Sequence, residues 1–140
     1  MREHYTALTA EELVADVLEH YKRLWPTVKA LIESHLAEPT PPPLILEGSA
    51  LWPDLVSSLD LRQDIATIWL TGSDDFFRGR IYVSSNLLVA DAPEQYLINQ
   101  FLARTIRYNT FMMESVYQLK LPYLNVENFT DVTELTKALP

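Results

Sequence analysis

Five side chains in this sequence have the types and placement for phosphate chemistry: Glu47, Arg78, Arg80, Arg104 and Arg107. Glu47 closes the run Leu44-Ile45-Leu46, which Pro41-Pro42-Pro43 delivers and Gly48 ends. A carboxylate at a strand end can hold a hydrated magnesium ion or accept a proton from an attacking hydroxyl. Arg104 and Arg107 stand about one helical turn apart and so share roughly one side of a helix. Guanidinium groups donate in a fork that matches phosphate oxygens, so arginines on helices after a strand suit a phosphate clamp. The same residues also have a plainer reading. Glu47 can be a solvated loop residue, and the arginines can make surface ion pairs with Asp74, Asp75 or Glu114 that contribute little. Spacing by itself does not choose between the two.

The elements that would position these groups follow from the apolar pattern. Thr9 and Glu12 have capping-box spacing, and the stripe from Leu13 through Trp25 to Leu36 predicts one long amphipathic helix with a kink or break at Pro26. His20 and His35 stand at no metal-ligand spacing and read as structural or surface residues. Residues 37–43 form a stiff extended connector. Leu44–Glu47, apolar at every position before the acid, predicts a strand buried on both faces, with Glu47 at its carboxyl rim. Pro53-Asp54 starts a short helix, and Ile65–Leu70 is a second buried strand ending at Thr71-Gly72. Strand, helix, strand in this order predicts a parallel crossover.

Ser73-Asp74-Asp75 offers a capping hydroxyl and two acids to a helix carrying Phe76, Phe77, Arg78, Arg80 and Ile81. Ser84–Asp91 reads as a polar loop. A long helix then runs from about Pro93 to near Lys120, with Tyr96, Phe101, Tyr108, Met112 and Val116 on its buried side. Tyr123–Val126 is a third short strand, and Val132–Leu139 a final helix capped by Thr130 or Asp131. The fold class is therefore α/β, a three-layer-like arrangement of a small parallel sheet flanked by helices, in a single domain over residues 1–140.

Composition narrows the partners. Eleven Lys and Arg against nineteen Asp and Glu give a net charge of -8, which repels nucleic acid and anionic membranes. There are no cysteines, so disulfides, thiolate catalysis and Cys-based zinc sites are excluded. That usage fits a reducing compartment. The first residues lack the apolar core of a signal peptide, and no stretch is long and apolar enough to span a membrane. The expectation is a cytoplasmic protein.

Four segments, LILEGSALWPDL (44–55), IWLTGSDDFFRGRI (68–81), FLARTIRYN (101–109) and LKLPYLNV (119–126), resemble in order the later part of small-molecule P-loop kinases, the nucleoside, shikimate and 2-phosphoglycerate kinases. The resemblance covers about Leu13 to Val126. It implies an incomplete P-loop NTPase-like fold in which Glu47 is the magnesium-associated or catalytic acid of a Walker-B-like strand. It implies Arg78 and Arg80 at the lid positions, Arg104 as a second lid cation, and Arg80, Arg104 and Arg107 on a bound nucleotide. The implied cofactors are Mg2+ and ATP. One departure stands out. With only Gly48, Gly72 and Gly79 present, no GxxxxGK[ST] loop can be written in this chain.

The chain thus resembles the back portion of a kinase whose front strand, loop and helix are missing, and is expected to be inactive alone. A gap in the sheet would leave costly unpaired backbone groups. Strands 44–47 and 65–70 are therefore expected to pair directly, or a separate chain supplies the missing edge. A homodimer is the expected assembly. The alternative function is a non-catalytic interaction or oligomerisation module on the same fold. A further alternative is a phosphate- or nucleotide-binding protein that uses only the arginine cluster.

Overall fold

The computed structural model describes residues 7–59, 65–129 and 132–137. In chain order the elements are α1 (Ala10–Leu36), α2 (Pro53–Ser57), β1 (Trp69–Thr71), α3 (Asp74–Ser84), a 3-10 turn (Leu87–Val89), α4 (Ala92–Leu119), β2 (Tyr123–Asn125), a second 3-10 turn (Val126–Asn128) and α5 (Val132–Lys137). About two thirds of the described residues are helical, so the fold is organised on a helix and not on a sheet. That helix is α4. The other helices α1, α2 and α3, and strand β1, all pack against it.

Helix α1 begins where its capping box predicts. The Glu12 amide donates to Thr9 Oγ1 at 3.2 Å and the Thr9 amide donates to Glu12 Oε2 at 2.8 Å. The helix continues through Pro26 without a break in its 27 residues. Proline removes one donor there, and the buried residues Tyr21 and Trp25 hold the flanking turn in place. Helix α4 is capped by Asp91, which accepts from the Glu94 amide at 2.9 Å. It ends at Lys120, which takes a left-handed conformation (φ 55°). The Leu121 amide then reaches back to the Val116 carbonyl at 3.0 Å, a closure usually given to glycine.

All three tryptophans of the chain meet in one cluster. Trp25 from α1, Trp52 and Val56 from the α2 region, and Trp69 from β1 pack with Met112, Met113 and Val116 of α4. Two of the buried indole donors are satisfied, Trp52 Nε1 to Asp54 Oδ2 at 2.9 Å and Trp69 Nε1 to the Leu51 carbonyl at 3.2 Å. No helix among the described residues is long and apolar enough to cross a membrane.

The sheet differs from expectation. It has two parallel strands among the described residues, with Trp69 opposite Tyr123, Leu70 opposite Leu124 and Thr71 opposite Asn125. Segment 44–47 is not a strand; Leu44 is 45% and Ile45 88% exposed, and Glu47 is exposed too. Three preceding prolines donate no hydrogen bonds, and the uniformly apolar run carried no alternation that would have told strand from extended coil. The expected pairing of 44–47 with 65–70 is therefore replaced by pairing of 69–71 with 123–125. The Trp69 amide donates to the Pro122 carbonyl at 3.1 Å, which fixes that register. Residues 65–68 lead into β1 without strand structure.

The sheet is covered on one face only. Trp69 and Thr71 are buried, while Leu70 between them is 48% exposed. The three-layer arrangement is thus reduced to two layers among the described residues. The region 84–91, read as a polar loop, contains an apolar 3-10 turn held to α4 by the Gln95 amide side chain, which donates to the Ala90 carbonyl at 2.9 Å. The expected caps of the last helix, Thr130 and Asp131, lie outside the described residues.

Candidate functional site

A cleft of about 590 Å³ opens at the carboxyl ends of β1 and β2, lined by residues 71–73, Asn109, Met113, Tyr117, 123–125 and Asn128. Its floor is built by the turn from β1 into α3. Thr71 Oγ1 donates to Asn109 Oδ1 at 2.8 Å, and Asn109 Nδ2 donates to the Gly72 carbonyl at 3.4 Å. These two bonds fix which way the Asn109 amide faces. Gly72 is required by crowding, since a Cβ there would lie 2.7 Å from Phe76 Cδ1 and 3.3 Å from Phe76 Cγ. Ser73 is the cap of α3, its hydroxyl accepting from the Phe76 amide at 3.1 Å.

Glu127 decides the electrostatics of this rim. Its Oε1 accepts from the Ser73 amide and its Oε2 accepts from the Ser73 hydroxyl at 3.0 Å. The Glu127 amide in turn donates to Asn125 Oδ1 at 2.9 Å. A helix amino end is a natural seat for an anion, and here the chain's own carboxylate takes it. Asp74 and Asp75 follow in the first turn and add to the negative field. At the mouth, Tyr117 and Tyr123 stand edge to face with ring centres 5.4 Å apart. A hydrogen bond with Tyr123 raises the Tyr117 hydroxyl above the ordinary range, with desolvation adding to it.

None of the five residues singled out in the sequence lines this cleft. Glu47 is exposed in coil ahead of Gly48, which has φ +136°. The next residue anchors that loop: Ser49 Oγ lies 2.5 Å from the Tyr21 hydroxyl, and the Ser49 carbonyl accepts from the Tyr108 hydroxyl at 2.9 Å. Arg78 pairs with Asp75 at 2.5 Å on the surface of α3, and Arg80 lies over the Phe76 ring at 5.9 Å. Arg104 lies over Phe101 at 5.6 Å. Arg107 lies over Phe111 at 4.3 Å and pairs with Glu11 of α1 at 2.6 Å.

The residues that do line the rim left only partial traces in the sequence. Thr71-Gly72 and Ser73 were legible as strand stop and helix cap. Asn109 is a polar residue in line with Leu102, Met112, Met113 and Val116, the buried residues of α4, which is a signal that a search for charged groups passes over. Glu127 had no signal, because its partner Ser73 is 54 residues away.

The five side chains read for Mg2+ and ATP do not converge on this cleft. No group of three or more His, Asp or Glu among the described residues is placed to hold a metal ion. The rim presents a carboxylate where a phosphate would sit. Compared with family models, curated proteins and solved structures, the chain shows no significant similarity to any, and nothing in these comparisons identifies a P-loop kinase.

Proposed function

We propose that this chain is an interaction module that assembles with a second copy of itself. One observation carries the reading. Large apolar side chains stand together in solvent, with Leu88 97%, Val89 85% and Val83 79% exposed at the corner between α3 and α4, and a grouped apolar patch of this kind marks a contact surface. The Tyr82 hydroxyl, donating to Asn99 Oδ1 at 2.9 Å, holds that corner against α4. The ion pairs of Arg78 and Arg107 within the chain favour this reading over a phosphate clamp.

Sedimentation equilibrium tests it. A dimer of about twice the chain mass is expected, and the double variant Leu88→Glu/Val89→Glu should be monomeric with its helicity unchanged. Both side chains stand in solvent, so neither substitution disturbs a core contact. Because each copy carries net charge -8, added salt should tighten the dimer by screening repulsion. A wild-type chain that stays monomeric at about 100 μM, equivalent to association weaker than roughly -5.5 kcal/mol, overturns the proposal.

A second reading is a Mg2+- and ATP-dependent phosphotransferase acting on a small molecule. Its support is the cleft's place at the carboxyl rim of parallel strands, where α/β enzymes bind ligands. Calorimetric titration with Mg·ATP tests it. Binding tighter than about 100 μM, weakened by a change in the cleft such as Asn109→Ala, would favour the kinase. Undetectable binding in a folded sample would leave assembly alone.

A further inference from the structure

Independently of the assembly, we infer that the cleft at the carboxyl ends of β1 and β2 binds an uncharged ring compound rich in hydrogen-bonding groups, the chemistry shared by neutral sugars and neutral nucleosides. The walls carry the inference. Thr71, Ser73, Asn109, Asn125 and Asn128 supply hydroxyl and amide groups, and among the described residues no Asp, Glu, Lys, Arg or His lines the cleft. Its volume of about 590 Å³ suits a small ligand.

Orientation is built in. Asn109 spends its carbonyl on Thr71 and one amide hydrogen on Gly72, and an amide carries two, so among the described residues the second is left for a ligand. Because that amide is held from two sides, its donor direction costs little entropy to use. The rings of Tyr117 and Tyr123, 60% and 45% exposed, offer apolar faces and edges at the mouth for the C–H face of a sugar or the flat face of a base.

Charge discrimination follows from the same geometry. Phosphorylated ligands are repelled by the Glu127 carboxylate bonded at the amino end of α3 just outside the lining, on a chain of net charge -8. Neutral hydrogen-bonding groups escape that repulsion.

The test is a titration followed by the side-chain amide resonances of Asn109, Asn125 and Asn128, using glucose and adenosine, then glucose phosphate and adenosine monophosphate, each up to about 10 mM, the weakest useful affinity. At least one neutral compound should shift these resonances, and its phosphorylated counterpart should bind about tenfold or more weakly, at least 1.4 kcal/mol. Which neutral compound acts identifies the source, sugar or nucleoside. Asn128→Ala, an exposed position, should weaken binding several-fold and leave the melting temperature unchanged. Absence of shifts with both neutral compounds, or equal or tighter binding of the phosphorylated ones, overturns the inference. Neither result touches the oligomeric state, so this reading and the assembly reading fail separately.

Discussion

Replacing Gly72 by alanine probes the joint between β1 and α3 on which the cleft rests. The added methyl would lie 2.7 Å from Phe76 Cδ1 and 3.3 Å from Phe76 Cγ, against about 3.5–4.0 Å for relaxed carbon contacts. The second of these atoms joins the ring to its stem, so the whole Phe76 side chain must shift to clear both. Overpacking of this kind costs about 1–3 kcal/mol. Gly72 is not among the residues with positive φ, so alanine meets no backbone strain there. It even recovers about 0.4–1 kcal/mol by stiffening the unfolded chain. The net loss is about 0–2.6 kcal/mol, centred at about 1.3 kcal/mol, or roughly 4 °C in melting temperature for a chain of this length. Urea unfolding followed by fluorescence of the tryptophan cluster measures it. The decisive comparison is the same substitution in a Phe76→Ala background, where the clash has gone and Gly72→Ala should become neutral or stabilising. If Gly72→Ala costs the same in both backgrounds, within about 0.5 kcal/mol, the steric reasoning is refuted.

Trp25→Ala should destabilise by about 3–5 kcal/mol, since the ring is 8% exposed and sits in the cluster joining α1 to α4; equilibrium unfolding measures it. Tyr108→Phe should cost about 1 kcal/mol by leaving the Ser49 carbonyl without its 2.9 Å donor, measured by the shift in urea midpoint. Burial pushes the Tyr108 hydroxyl well above its ordinary range. A phenol raised in the fold favours the folded state below its unfolded value, so this contribution falls away as pH rises above about 10, and an ultraviolet titration should find one tyrosine ionising only with unfolding. Glu12 is held below the ordinary carboxylate range, first by the Thr9 amide and then by the Thr9 side chain. Its capping contribution is present above about pH 4.3 and is lost as pH falls through the lowered folded value, so amide exchange in the first turn of α1 should quicken there, and Glu12→Gln should blunt the effect. Lys120→Gly should stabilise by about 0.5–1 kcal/mol in thermal unfolding, because the left-handed position penalises a side chain.

Local signals in the sequence were accurate where the chain decides its own conformation over a few residues. The Thr9–Glu12 box, the Ser73 cap and the long stripe of α4 place helix ends through bonds between residues three or four apart, and such bonds form with any tertiary surroundings. The short strand at Tyr123 was legible for a similar reason, since Pro122 ends the helical region and an extended apolar run follows. The run at 44–47 misled because a strand exists only when another strand supplies its bonds, and no property of Leu44-Ile45-Leu46 itself names a partner.

What the sequence by itself determined is therefore the helices, the caps at Thr9 and Ser73, the net charge of -8 and the absence of a phosphate-binding loop. Only the tertiary structure decided which strands pair, and with them where a site could be. It closes Glu127 onto Ser73 across 54 residues and sets Asn109 against Thr71 across 38, while leaving Glu47 in solvent. Contacts at such separation are chosen by competition among many surfaces for the same α4 helix, and burial of the three tryptophans on Met112, Met113 and Val116 fixes the outcome. The energy that selects them belongs to the packed whole and is written in no single stretch of the chain.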